Sequence, residues 1–174
     1  IYVYHKQKLY NINTDDGLSD NYIYDMELLP NNSIAAASDR GLSLIYFDGI
    51  KKTIDNFTTA NGLTDNIVRC ISYSKTNKNT LWLGFQQGGI CKFSTITKKA
   101  DLINCPELQN EQINDIMILD EQILVNTDNA SFQFKSNGKL VCKNSITKTA
   151  GLVLDGEANV WLISKTAGLH KNNP

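Results

Sequence analysis

Histidine is nearly absent from this sequence, whose only two examples, His5 and His170, lie close to its ends. Catalysis by histidine and zinc binding through histidine both place that residue among a cluster of partners. A zinc site and a histidine-based catalytic site are therefore not indicated, and we assign no metal site, no cofactor and no catalytic residue to this chain.

Cysteine is present but is not arranged in a motif. The four cysteines are Cys70, Cys91, Cys105 and Cys142. They form no CxxC pair and have no neighbouring histidine, so a zinc site or a Cys/His nucleophile is not indicated. We interpret them as buried, unpaired thiols. An even count would also permit disulfides in an exported protein, but the irregular spacing defines no framework, and the redox state stays open.

Neither sign of charge prevails, because the chain has 17 basic and 18 acidic residues and a net charge of −1. A protein that binds nucleic acid carries a basic patch, so we expect no nucleic-acid partner. Long apolar runs are also missing, and none approaches the ~18 residues of a membrane span. We expect any export signal or membrane anchor to lie outside this chain. With 41% hydrophobic residues and three prolines, the composition is typical of a globular protein.

One segment occurs repeatedly along the chain. GLSDNYIYDM at residues 17–26 returns as GLTDNIVRCI at residues 62–71, an offset of 62 − 17 = 45. A weaker third copy at residues 108–116 keeps the phase, since 108 − 63 = 45 places Leu108 on Leu63. A period of about 40 to 50 residues indicates a repeat architecture in which each unit is one supersecondary element.

The second unit shows the strands of one repeat. Four short β-rich runs, at residues 67–74, 81–85, 90–93 and 100–104, are separated by turns at 75–79, 86–89 and 94–99. Period-two alternation assigns the first run two faces: Ile67, Arg69, Ile71 and Tyr73 on one side, and Val68, Cys70 and Ser72 on the other. Four short antiparallel strands predict one blade of a β-propeller.

The other units follow the same pattern. In the first unit the strands are predicted at 22–29, 34–38, 42–47 and 54–58, and in the third at 112–119, 122–127, 132–135 and 140–143. The chain begins with strands at 2–4 and 9–12 and ends with strands at 151–154, 160–164 and 168–171. We predict a partial blade at 1–13, blades at 17–58, 62–104 and 108–143, and a partial blade at 146–174.

Several conspicuous residues have structural explanations. We expect Trp82 and Trp161 to pack between blades rather than to form a platform on which a ligand stacks. The pairs Asp20-Asn21 and Asp65-Asn66 precede the opening strands, where such side chains cap turns.

The second unit resembles a known repeat. GLTDNIV at residues 62–68, LWLGF at 81–85 and GGICKF at 88–93 are similar to the two-component regulator propeller repeat. Members of that family are extracytoplasmic sensor regions of hybrid two-component systems, common in gut Bacteroidetes. They typically contain two seven-bladed propellers, followed by an immunoglobulin-like domain, a membrane helix and a cytoplasmic histidine kinase. Many resemble sensors of oligosaccharides.

The resemblance covers nearly the whole chain but weakens outside the second unit. The first unit has IAAA at residues 34–37 in place of the tryptophan motif, the third has Leu124 in place of tryptophan, and the fourth lacks the Gly-Leu-Ser arm. The resemblance implies an all-β arc of about four blades, cut from a seven-bladed ring. A four-bladed ring closed by the N-terminal strands is the alternative.

By this resemblance the chain is part of a periplasmic sensor propeller that binds an oligosaccharide, forms a homodimer through its parent ectodomain and signals to a kinase outside the chain. Propeller ligands bind in the loops at one end of the central channel. The turns after the second strands supply the candidate ligand-binding residues: Asp39, Arg40, Gln86, Gln87, Asp128, Asn129 and Lys165, with Thr166 beside them.

Two other functions stay open at this point. A purely structural or protein-binding propeller would use the same faces. A propeller lyase or glycosidase would need a histidine base or a pair of carboxylates about 5 to 10 Å apart. Both histidines are terminal, and no sequence motif pairs the acids considered for that role: Asp25, Asp115, Asp120 and Asp155.

Overall fold

The computed structural model describes residues 1–73, 77–120, 122–146 and 148–172. These residues form seventeen strands: β1 Tyr2–His5, β2 Lys8–Asn11, β3 Ile23–Leu28, β4 Ile34–Ser38, β5 Gly41–Phe47, β6 Lys52–Phe57, β7 Val68–Tyr73, β8 Thr80–Phe85, β9 Ile90–Ser94, β10 Ala100–Leu102, β11 Ile113–Leu119, β12 Gln122–Thr127, β13 Ser131–Lys135, β14 Leu140–Asn144, β15 Thr149–Leu154, β16 Val160–Ser164 and β17 Gly168–Asn172. Three short 3-10 turns lie between the sheets, at Thr14–Asp16, Thr59–Asn61 and Pro106–Leu108.

The strands pair in chain order into antiparallel sheets. Strands β3–β6, β7–β10 and β11–β14 form three four-stranded sheets, which we call blades 1, 2 and 3. Strands β15–β17 form the three-stranded blade 4, and β1 pairs with β2. The predicted succession of four short antiparallel strands is therefore confirmed, and most strand ends lie within one or two residues of their predicted positions. The predicted Ser74 and part of the 75–79 turn lie outside the described residues.

The blades stack so that their first strands are neighbours. Strand β3 contacts β7, β7 contacts β11, and β11 contacts β15, which places the first strand of every blade along the inner rim of the arc. Buried side chains fill the spaces between blades. Phe57 of blade 1 meets Phe93 of blade 2, with ring centroids 4.9 Å apart. Each such side chain contributes about 1.5 to 3 kcal/mol of burial free energy.

Trp82 lies in the second of these interfaces. It is 3% exposed and packs in a cluster that joins Ile90 of blade 2 to Ile113 and Phe132 of blade 3. The predicted packing of Trp82 between blades is confirmed. Trp161 is only half-buried, and its indole N–H donates to Asp155 at 2.8 Å.

The first strand of blade 2 departs from straight alternation. Val68 is opposite Phe85 and Cys70 is opposite Gly84, so Arg69 is an extra residue without a partner across the ladder. The prediction that Val68 and Cys70 share a face is therefore wrong. Val68 packs with Ile71 toward blade 1, whereas Cys70 packs toward blade 3. A β-bulge causes this difference. The extra residue shifts the alternation by one position, so the residues before the bulge lie on the face opposite to the one predicted.

The repeated motif forms the loop between blades. The 3-10 turns Thr14–Asp16 and Thr59–Asn61 end at glycines with φ of 103° and 96°. The N–H that begins each turn donates to the side chain of Asn21 (3.0 Å) or Asn66 (2.9 Å). These asparagines cap turns, as predicted.

The aspartates of the same motif make Asx turns. Asp20 accepts a hydrogen bond from the N–H of Tyr22 at 2.9 Å, and Asp65 accepts one from the N–H of Ile67 at 3.2 Å. The capping role predicted for both aspartates is confirmed.

All four cysteines are free thiols. Cys70, Cys91 and Cys105 are buried, and burial raises the pKa of Cys91 to about 12 and that of Cys105 to about 11. Cys142 is exposed, so the prediction of burial is wrong for this residue. It lies on β14, the outermost strand of its blade.

Candidate functional site

A β-bulge recurs at the start of the first strand in every blade. The ladder skips one residue in each of β3, β7, β11 and β15: Tyr24, Arg69, Asn114 and Ala150. The first three follow the repeat, since 69 − 24 = 45 and 114 − 69 = 45. Bulges redirect side chains and are frequent beside functional sites. We call the end of the arc that carries these bulges and the turns after β4, β8, β12 and β16 the upper face.

The bulge residue of blade 1 binds the turn of its own blade. The hydroxyl of Tyr24 donates to Oδ1 of Asp39 at 2.7 Å. This hydrogen bond raises the pKa of Tyr24, because the carboxylate stabilises the protonated phenol. Asp39, a residue predicted to bind ligand, is thereby held beside the inner rim.

Arg69 reaches from blade 2 to the same place. Its Cζ atom lies 4.0 Å from the centroid of the Tyr24 ring, which is a cation–π contact across the blade boundary. Tyr22 packs edge-on against Tyr24, with centroids 5.0 Å apart, and is 62% exposed. We call Tyr22, Tyr24, Asp39 and Arg69 the tyrosine–arginine cluster.

The bulge residue of blade 3 makes a related set of contacts. Nδ2 of Asn114 lies 2.9 Å from Oδ1 of Asp128 and 2.9 Å from the carbonyl oxygen of Thr149 in blade 4. Asn129, beside Asp128, donates from its side-chain amide to Glu111 at 2.9 Å. Asp128 and Asn129 therefore lie on the upper face, fixed by side chains of their own blade.

The remaining predicted residues are placed on the upper face without entering either set of contacts. Arg40 pairs through Nε with Asp20 at 3.4 Å, and its side chain is 76% exposed.

Gln86 and Gln87 are fixed through their backbone N–H groups, which donate to the carbonyl of Ile67 and to Asp65, each at 3.0 Å. Lys165 follows β16, where its N–H donates to the carbonyl of Lys148 at 2.9 Å. Within the described residues, no hydrogen bond or ion pair joins any two of the seven predicted residues.

Gln87 belongs to a separate groove. A depression of about 410 Å³ on the upper face, between blades 2 and 3, is lined by Gln87, Thr64, Asn104 and Gln109. A second groove of about 490 Å³ lies at the opposite end of the sheets, where Tyr46 lines it.

Two carboxylates tie neighbouring blades together at the inner rim. Oδ2 of Asp25 accepts the N–H of Ile71 at 2.8 Å, and Oδ2 of Asp115 accepts the N–H of Leu152 at 2.6 Å. These aspartates occupy equivalent repeat positions, since 115 − 25 = 90, although no sequence motif marks them as a pair. Cys70 holds the same position in blade 2.

Burial raises the pKa of Asp115 to about 6, and the charge of Asp25 adds to the shift. Both carboxylates accept hydrogen bonds from backbone N–H groups of the next blade, so their geometry indicates a role in joining blades. Of the other acids considered for catalysis, Asp155 accepts hydrogen bonds from Trp161 and Asn159, which lower its pKa, and Asp120 lies in the turn after β11.

Sequence reasoning missed Tyr22, Tyr24, Arg69 and Asn114 as site residues. The last three share one repeat position, which was visible in the 45-residue alignment. Period-two alternation in the sequence does not reveal a bulge, however. The sequence therefore does not indicate that these side chains point to the upper face.

No set of three or more histidine, cysteine, aspartate or glutamate side chains is arranged to hold a metal ion in the described ranges. None of the helices in the part of the chain that the structure describes could cross a bilayer.

Known structures share this arrangement of sheets. The extracellular domain of BT4673 from B. thetaiotaomicron, described as a hybrid two-component system, is 21% identical over 88% of this chain, with a TM-score of 0.73. That of BT3049, described likewise, is 16% identical over 93%, with a TM-score of 0.73. The WD40 propeller domain of Doa1 is 13% identical over 86%, with a TM-score of 0.68. The fold is a β-propeller.

The predicted all-β propeller fold is thereby confirmed. This propeller chain spans 21% of the BT4673 chain, 24% of the BT3049 chain and 50% of the Doa1 chain. No protein-family model matches the sequence, and no curated protein matches it.

Proposed function

We propose that this chain is a sector of a periplasmic sensor propeller that recognises an oligosaccharide and belongs to a hybrid two-component signalling protein. Two observations support the protein class. The second repeat resembles the two-component regulator propeller repeat, and the propeller is similar to the extracellular domains of BT4673 and BT3049.

The tyrosine–arginine cluster is the observation that carries the proposal for a ligand. Tyr22 offers an exposed ring, and a pyranose can stack its apolar face on such a ring. Asp39 and Arg69 add an acceptor and several donors for sugar hydroxyls beside it. Tyr24 contacts all three residues, so the polar groups are already in position when a ligand arrives.

Signalling in this proposal is mechanical. The kinase lies outside this chain, and the parent ectodomain forms a homodimer. A ligand shifts such a dimer only if it binds one arrangement more tightly than the other. The chain itself contributes recognition and no catalytic residue.

Thermal unfolding of the chain with a panel of neutral and acidic oligosaccharides tests this proposal. One glycan class should give a saturable stabilisation, of about 2.7 kcal/mol at 100 times the Kd. Replacing Tyr22 with alanine should abolish the shift. The matched control is Tyr46→Ala, because Tyr46 is 41% exposed and lies at the opposite end of the sheets.

The ligand must be recovered chemically unchanged, since cleavage would indicate an enzyme. The absence of a shift with every glycan, together with a stable protein complex, would favour the structural or protein-binding role instead.

A further inference from the structure

We infer that the tyrosine–arginine cluster recognises an acidic sugar, whose carboxylate binds Arg69. This inference rests on the proposed function and adds the class of ligand. The environment of Arg69, a cation on the inner rim, supports it.

Arg69 lacks an anionic partner among the described residues. The ion pairs found there join Arg40 to Asp20, Lys52 to Asp16 and Lys98 to Asp55. Arg69 is half-buried, and its Nε atom is buried without a hydrogen-bond acceptor. Because a half-buried charge without a counter-ion is destabilising, the guanidinium of Arg69 is suited to an anionic group supplied by a ligand.

The carboxylates of blade 1 near this cluster are engaged by other donors. Asp39 accepts the hydroxyl of Tyr24 at 2.7 Å. Asp25 accepts the N–H of Ile71 through one oxygen and the N–H of Met26 through the other, each at 2.8 Å. Both acids therefore have partners that would be lost if they turned toward Arg69.

The stacking of Arg69 suits a carboxylate ligand. A guanidinium that lies over a ring presents its N–H groups at its edge, where a carboxylate can accept two parallel hydrogen bonds. Tyr22, 5.0 Å from Tyr24 between ring centroids, is exposed for stacking by the sugar ring that bears the carboxylate. A neutral sugar offers the guanidinium only uncharged acceptors, which form weaker hydrogen bonds than a carboxylate, so the site should discriminate against it.

Titration calorimetry with three probes tests the inference: trigalacturonate, its methyl ester and galactotriose. Charge-assisted hydrogen bonds of this kind correspond to roughly 10- to 100-fold in affinity. Trigalacturonate should therefore bind at least about 10-fold more tightly than its ester. Replacing Arg69 with glutamine should remove that difference, and Arg69→Lys should keep only part of it.

The control variant is Lys51→Gln, which removes one positive charge from the turn after β5, at the opposite end of the sheets. It should leave the ratio between acid and ester unchanged. Circular dichroism melts confirm that each variant is folded.

Equal binding of acid and ester by the unmodified chain would overturn the inference without recourse to any variant. If galactotriose or the ester binds and is insensitive to Arg69, the sensor proposal stands while the acidic class is wrong. If none of the oligosaccharides in the wider panel binds, both are wrong.

Discussion

The guanidinium of Arg69 in blade 2 lies over the ring of Tyr24 in blade 1, with Cζ 4.0 Å from the ring centroid. The two residues are 45 positions apart and occupy the same bulge position in successive blades. Their contact joins two blades at the inner rim. Loops at one end of a propeller meet there, so changes at this contact affect both stability and the candidate site.

The hydroxyl of Tyr24 should contribute measurably to stability. Tyr24→Phe removes its hydrogen bond to Asp39 while keeping the ring beneath Arg69. We expect a loss of about 0.5 to 1.5 kcal/mol in the free energy of unfolding by urea denaturation. Tyr2→Phe is the control, because Tyr2 is 71% exposed, and it should change little. An equal loss in both variants would contradict the assignment.

Asp115 should be important for joining blades 3 and 4. Asp115→Ala leaves the N–H of Leu152 without its acceptor, which we expect to cost about 1 to 3 kcal/mol in the free energy of unfolding. Asp101→Ala, at an exposed position of β10, is the matched control and should cost less than about 0.5 kcal/mol. An unchanged free energy of unfolding in Asp115→Ala would show that this hydrogen bond is not needed to join the blades.

Stability should also depend on pH through Asp115. Its pKa rises from 3.8 to about 6 on folding. The folded state therefore binds the proton more tightly, and this stabilisation is complete below pH 3.8 and is lost as the pH rises through 6. The difference amounts to about 3 kcal/mol at most. Asp115→Asn does not titrate, so unfolding midpoints measured from pH 4 to 7 should fall less steeply in that variant. Parallel profiles would refute the assignment.

Gly84 in the Leu-Trp-Leu-Gly motif has a steric role. A Cβ atom added there would lie 2.5 Å from Cγ2 of Ile113 and 2.6 Å from Sγ of Cys70, inside the interface of blades 2 and 3. We expect Gly84→Ala to lower the free energy of unfolding by about 1 to 3 kcal/mol. The control is Gly156→Ala, since no atom lies within 4 Å of a Cβ there. An unchanged free energy of unfolding in Gly84→Ala would mean that blades 2 and 3 can move apart to accommodate the methyl group.

Much of the fold follows from local patterns in the sequence. The strand at Ile34–Ser38 lies where the run of small and apolar residues ends at a turn, and the one at Val160–Ser164 lies where VWLIS predicts it. The 45-residue offset predicts the succession of equivalent blades. The face assignment of Val68 failed because a bulge forms only when β7 pairs with β8, and that pairing leaves no mark in the alternation.

The candidate site was predicted less well. The predicted turns after the second strands, which include that of Asp39, lie at the end of the sheets that carries the bulges, but the side chains that contact Asp39 were not found. Tyr24 and Arg69 belong to strands that alternation treats as ordinary, and they meet only because two blades stack.

The sequence by itself therefore determined the repeat, the order of strands and the class of fold, because alternation and turn residues act over a few positions. Tertiary structure alone decided which carboxylate receives which N–H group and which cation lies on which ring. Those contacts join residues 37 to 46 positions apart, and they depend on the stacking of complete sheets and on the bulges that aim their side chains.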